Sequence, residues 1–314
     1  MGACELAIIG LWVVFAPPPQ HTFTLKGAIE PAGRASVWLY GANSPFSAFT
    51  KAGSDGRFHF SGILPGVYTL TVSTTPQSKW RETIDVGPSV ADAKGRVQVS
   101  VQLDPAKVLT DPADIVSTRQ LSIPRAAWKE YRLADRCLSK RDVEGAVAHL
   151  QRATDLAPQL SEAWNGLAII AYHAHQYAQA EGYFRKGLAA DPSEYAPLVN
   201  LGGVLLNLGR FEEARNFNTR AIAKQPNDPL AHSQLGIADA ALGQLDAAKS
   251  ELKEAIRLDP HHFTNPQIVL ADVYEREHNR TAAVDVLEEF LKLHPDFPQT
   301  PQIRERIARL HSGQ

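Results

Sequence analysis

The chain has 314 residues, 44% of them hydrophobic and 21% charged, the composition of a globular protein with room for about two domains. Thirty-two Lys and Arg against 34 Asp and Glu leave a formal charge of −2, so no global field draws the chain to nucleic acid or to anionic lipid. Two cysteines, Cys4 and Cys137, cannot build a disulfide framework or a four-ligand zinc site, and both are read as free thiols.

From Leu6 to Ala16 the chain runs through eleven apolar residues, well short of the ~20 that a transmembrane helix needs. That length suits the core of an export signal, with small residues at Val14 and Ala16 where a signal peptidase reads. Against a cleanly cleaved signal stand the lack of Lys or Arg before Lys26 and the position of Pro17 directly after Ala16. A buried first strand and an uncleaved anchor are the alternatives. Residues 1–20 are therefore read as a signal-like apolar segment ending in the stiff spacer Pro17-Pro18-Pro19, and the protein as exported, periplasmic or extracellular.

Residues 21–104 alternate with a period of two: Phe23 and Leu25, Val37 and Leu39, Phe58 and Phe60, then Tyr68, Leu70 and Val72, and finally Val97, Val99 and Val101. Such alternation makes half-buried strands. Turn chemistry at Gly53-Ser54-Asp55-Gly56 and Pro65-Gly66 separates them, and six or seven short strands at this spacing predict a β-sandwich. The run Ser54-Asp55-Gly56-Arg57-Phe58-His59-Phe60, followed by Leu64-Pro65-Gly66-Val67-Tyr68, resembles the carboxypeptidase regulatory-like (transthyretin-like) domain. That resemblance implies an accessory sandwich without catalytic residues. Tyr68 and Trp38 are expected in the core or on a sheet face rather than as a carbohydrate platform. Residues 105–124, with Pro105, Pro112 and Pro124, read as a linker unless Ile115 to Leu121 docks as a strand.

From residue 125 to 314 the period becomes helical and the chain repeats itself. Pro158, Pro192, Pro226 and Pro260 are spaced by 34 residues, and Pro295 follows 35 later. Leu133, Leu167, Leu201, Leu235 and Leu270 keep the same register, as do Ala146, Ala180, Ala214, Ala248 and Ala283. With Trp164, Leu167, Ala168, Ala180, Phe184 and Pro192 in order, the second unit resembles the tetratricopeptide repeat. The resemblance implies an α-helical solenoid of five two-helix units, at about 127–160, 161–194, 195–228, 229–262 and 264–297, with a cap helix over 299–312. Trp164 and Ala180 are expected in the interior. Glu130 and Gln267 replace the tryptophan in the first and last units, and Asn218 puts an amide in a bulky apolar column. The fold class is thus a small all-β sandwich followed by a repeat solenoid.

Catalytic chemistry has little to stand on. No His-x-x-Glu pair, P-loop, Gly-x-Ser-x-Gly or Gly-x-Gly-x-x-Gly occurs. His173 and His175 diverge on a helix, while Glu275 with His278 and the pair His261-His262 read as solvated surface. No enzyme activity, cofactor or metal is expected. In the resembled family the first helix of each unit lines a concave groove, which here would present Trp128, Tyr131, Asp135 and Leu138, then Asn165, Ile169 and Tyr172, then Val199 and Leu206, then Ser233 and Ile237, then Ile268. These positions carry no Lys or Arg, so they suit an apolar helix or extended segment of a protein partner rather than an acidic peptide. The expected function is a non-enzymatic interaction scaffold of the bacterial cell envelope. An envelope adhesion or glycan-binding protein, with the sandwich on the ligand and the repeats as spacer, is the alternative.

Overall fold

The structure, a computed structural model, describes residues 21–312 apart from 76–77, 104–108, 111–121, 193 and 296. The signal-like segment and the stretch Ile115 to Leu121 lie outside the described residues. Strands β1 (Phe23–Glu30), β4 (Arg57–Ile63) and β7 (Arg96–Gln102) form one sheet in the order β4-β1-β7, with β1 and β7 parallel. A second sheet orders β2 (Ala35–Gly41), β3 (Ser47–Ala52), β5 (Gly66–Thr75), β6 (Ser78–Val86) and β8 (Leu109–Thr110) as β3-β2-β5-β6-β8. The two-residue strand β8 pairs with Ser78 and Lys79, so part of the expected linker extends the sheet edge.

The inward faces carry the period-two residues. Leu25, Val37, Leu39, Leu70 and Val101 have no exposed surface, and Tyr68 lies among them with its hydroxyl donating to the Leu64 carbonyl at 2.9 Å. Gly27 makes room for an aromatic ring, since a β-carbon there would stand 1.9 Å from the Phe58 side chain.

Among the described residues, eleven helices follow between 125 and 312: α1 (Arg125–Ser139), α2 (Val143–Leu156), α3 (Ser161–His173), α4 (Tyr177–Ala190), α5 (Tyr195–Asn207), α6 (Phe211–Lys224), α7 (Pro229–Ala241), α8 (Leu245–Leu258), α9 (Pro266–Arg276), α10 (Arg280–Leu293) and α11 (Thr300–Ser312). They pair in sequence and stack as a solenoid, each pair covering the apolar face its neighbour cannot bury alone. Ala146, Ala180, Ala214, Ala248 and Ala283 are fully buried. The cap helix α11 buries Ile303 and is tied to α9 by Arg306, whose guanidinium meets Glu275 at 2.6 Å and also Asp272. None of the described helices is long and apolar enough to cross a membrane.

Trp164 is half-buried rather than interior, because its ring has a polar task at the unit boundary. Its Nε1 donates to the carbonyl of Pro158 at 2.8 Å while the ring stacks on Tyr183. In the fourth unit His232 Nε2 lies 2.8 Å from the Pro226 carbonyl, and in the fifth Gln267 Nε2 donates to that of Pro260 at 2.6 Å. Three different side chains thus satisfy the carbonyl of the boundary proline. In the first unit Glu130 instead accepts from His149 and Arg152.

Candidate functional site

The sandwich rests against the concave side of the solenoid, and the candidate site is the space enclosed between them. The outer face of the five-stranded sheet supplies one wall. On β6 the inward residues Trp80, Ile84 and Val86 are buried in the sandwich, which turns Arg81 and Thr83 toward the helices. Arg81 Nη1 meets the Asp228 carboxylate at 2.9 Å, and Tyr195 donates its hydroxyl to the same oxygen at 2.8 Å. Asp228 is fully buried and caps α7 by accepting from the Leu230 amide at 2.9 Å. The Thr83 amide donates to Asp259 at 3.1 Å. At the other end the Arg141 guanidinium lies 4.9 Å above the Phe46 ring.

Between these contacts lies a cavity of about 700 Å³. Tyr40, Phe46, Arg81 and Thr83 of the sandwich face Tyr131, Asp135 and Leu138 on α1, Asn165, Ile169 and Tyr172 on α3, Val199 and Leu206 on α5, and Ile237 on α7. Those nine helix residues are sequence-predicted groove positions, brought together by one concave wall. Trp128, Ser233 and Ile268 are not part of the lining. Trp128 packs edge-on against Tyr131, Ser233 is fully buried with its hydroxyl 2.6 Å from that of Thr264, and Ile268 joins the cluster under the cap helix. The cap also engages Asp272 and Glu275, which closes the last unit as a groove.

The lining carries a line of amides. Asn200 donates to the Asn165 side-chain oxygen at 3.2 Å, and Asn207 donates to the Tyr172 hydroxyl at 3.3 Å and to the Gly203 carbonyl at 2.9 Å. Gln234 lines the cavity at only 8% exposure, and among the described residues its buried Oε1 has no hydrogen-bond partner. Burial between the two domains pushes the Asp135 carboxyl up to about 6. Burial and then the Asp135 charge raise the Tyr40 hydroxyl to about 12 and push that of Tyr131 well above its usual value. Glu162 is raised by burial and by Asp191, while burial lowers His173. The predicted absence of a cation holds for the helix positions, but Arg81 brings one from the sandwich and Asp228 engages it.

Sequence reasoning missed the whole sandwich wall, and Asn200 and Gln234 as well. The outward alternation on β6 marks a polar face without saying what covers it. His175 lies in the turn after α3 rather than on the helix, with Nδ1 2.8 Å from the Tyr177 hydroxyl.

Three family models described as tetratricopeptide repeat match residues 131–195, 171–235 and 231–262. Residues 131–262 are tetratricopeptide repeats. Over 87 residues these repeats are 30% identical to the Hsp70-Hsp90 organising protein of Plasmodium falciparum, covering 28% of this chain and 34% of that protein. They are 26% identical over 144 residues to the type IV pilus assembly protein PilF of Pseudomonas aeruginosa, covering 45% of this chain and 56% of the relative. The alignments thus span about a third of one relative's length and just over half of the other's. Among solved structures, the tetratricopeptide fold resembles PilW, a widely conserved type IV pilus biogenesis factor, with a TM-score of 0.55 and 21% identity over 60% of this chain and 87% of that one.

Proposed function

We propose that this chain is a non-enzymatic interaction scaffold of the cell envelope whose tetratricopeptide groove, walled on one side by the β-sandwich, holds an apolar helix or extended segment of a protein partner. The carrying observation is the cavity itself: aliphatic and aromatic residues from four repeats face a sandwich wall. Apolar burial supplies affinity, and the amides fix the orientation of the entering chain. An acidic peptide terminus is disfavoured, because Arg81 is already engaged by Asp228 and Asp135 adds negative charge. The pilus-related likenesses and the apolar run Leu6 to Ala16 favour an envelope location. The sandwich is read as an accessory module of the carboxypeptidase regulatory-like type that shapes the groove.

A photo-crosslinking residue placed at Ile169 in the native host should capture a partner that the same residue at Val143, exposed at the start of α2, does not capture. Leu206→Ala should weaken that capture without lowering the melting temperature much, since Leu206 is only half-buried. Equal capture from Ile169 and Val143 would rule the groove out.

One observation favours the glycan reading: Phe49 is 53% exposed and lies 5.3 Å from the Trp38 ring, a small aromatic pair on the outer sheet face. Phe49→Ala in the full chain tests it by loss of polysaccharide retention.

A further inference from the structure

The outward residues of β6 continue past Arg81 and Thr83 to Asp85, and each meets the end of a repeat unit. Arg81 reaches Asp228 before α7, Thr83 reaches Asp259 after α8, and Asp85 comes to His261, in the turn after α8, and to His294, the residue that ends α10. One ligand atom from each of Asp85, His261 and His294 lies within 4.8 Å of the other two.

The arrangement is held from behind. Asp259, 4% exposed, accepts from the Thr83 amide with one oxygen and from the His261 amide with the other, both at 3.1 Å. A single buried carboxylate therefore sets the strand and the turn relative to each other, two residues before Asp85 and two before His261. The His294 ring stacks 4.5 Å from that of Phe290, which is fully buried, and stands 5.3 Å from the His261 ring. His294 Nε2 is buried without a hydrogen-bond partner. Among the described residues the side chains of Asp85 and His261 have no hydrogen bond or ion pair either. The His294 ring also engages the Pro260 backbone, and the three side chains converge with donor atoms to spare.

Two imidazole nitrogens and a carboxylate oxygen are the donor set of a borderline divalent ion, whereas calcium and magnesium prefer oxygen alone. Zinc takes histidine nitrogen and carboxylate oxygen at about 2.0–2.2 Å, which sets neighbouring ligand atoms of a tetrahedral site roughly 3.4 Å apart. Closing from separations of up to 4.8 Å to that spacing takes small side-chain rotations, for which Asp85 is exposed and free to move. Three protein ligands leave the fourth position to water. We infer that Asp85, His261 and His294 form a site for a divalent transition-metal ion of the zinc class, shared between the sandwich and the end of the solenoid. The bound ion fastens the sandwich at the end of the interface away from the Phe46–Arg141 contact. It does so whatever the groove holds.

The test uses the full chain, stripped with a chelator and then titrated calorimetrically with Zn²⁺. One ion per chain is expected, with a rise in melting temperature on binding. Asp85→Asn and His261→Gln should each weaken binding by roughly tenfold or more with an unchanged circular dichroism spectrum, the order of loss seen even for outer-shell partners. His59→Gln, on an exposed β4 position, should leave it unchanged. Co²⁺ in place of zinc should give visible absorption bands of a low-coordinate nitrogen and oxygen site, lost in Asp85→Asn. Because Asp85 is exposed, its substitution stays informative even if a change at His294, stacked on Phe290, disturbs the fold. Absence of binding at ~100 μM Zn²⁺, far above what a folded three-ligand site needs, overturns the inference. So does an affinity that neither Asp85→Asn nor His261→Gln alters.

Discussion

Asn218 shows how a single residue can sit at odds with its column. It is fully buried against Gly202, whose missing β-carbon would lie 2.3 Å from the amide oxygen, and among the described residues neither of its amide atoms has a partner. In the next unit Leu252 occupies the same register against Gly236, so the space accepts a leucine. Asn218→Leu should therefore raise stability by ~1–3 kcal/mol, the cost of a buried unsatisfied polar group, measured as a higher denaturation midpoint. Asp135 gives a pH signature. Its folded-state carboxyl is raised from 3.8 to about 6, so its contribution to stability is full below about 3.8 and is lost as pH rises through about 6. Asp135→Asn should melt above the parent at about pH 8 and level with it at about pH 4, because the substitution removes the charge that burial penalises. Tyr40 and Tyr131, which face Asp135, stay protonated across that range. The sequence marked Asn218 as anomalous and Asp135 as a groove residue. It could not show that the anomaly lacks a partner or that the acid comes to lie on the cavity beneath the sandwich, since both depend on what packs from elsewhere in the chain.

Turns between paired helices reveal a repeat column that hydrophobic periodicity does not report. Arg141, His175, Gly209, Gly243 and His278 all have left-handed backbone, with φ of 62°, 57°, 71°, 78° and 59°. Each helix pair therefore closes on one left-handed residue, at a cost for the three that carry a β-carbon. A β-carbon at Gly209 would have open space within 4 Å, so its substitution isolates the backbone effect. Gly209→Ala should lower stability by about 1–2 kcal/mol, read from urea denaturation, and an unchanged midpoint would argue against the left-handed turn. The helices themselves were legible because leucine, alanine and proline columns keep one period over five units. The turn column stayed hidden because only two of its members are glycine. Most strands were legible by alternation, but β3 and β8 were not: β3 reads Ser-Ala-Phe-Thr-Lys-Ala with one large apolar residue, and the two residues of β8 have no period.

At the scale of the whole molecule, two modules with separate cores are joined through a polar interface. Removing Arg81 leaves Asp228 fully buried without its cation. Arg81→Met should destabilise the chain by ~3 kcal/mol, the lower end for a broken buried pair since Arg81 keeps some exposure. Adding Asp228→Asn should recover part of that loss, because the neutral amide demands no counter-charge: its oxygen can accept from the Leu230 amide while its NH₂ donates to the Tyr195 hydroxyl. Thermal melts of the single and double variants check this, and a silent Arg81→Met would mean that the sandwich is not held there. None of this was visible in the sequence, where Arg81 and Asp228 lie far apart and each resembles an ordinary surface charge.

The spacing of Arg81 and Thr83 on one strand has a consequence for how the repeats behave. Stacked repeats usually interact only with their neighbours, so units can fray, be added or be lost one at a time. Here a rigid strand grips the junctions before α7 and after α8 at once. It works as a ruler laid across the array: a unit inserted between those junctions would carry Asp259 out of reach of the Thr83 amide, and a one-residue slip of β6 would turn the Arg81 side chain into the sandwich core. The number of units under the strand is therefore fixed, and those repeats should unfold together rather than from the ends.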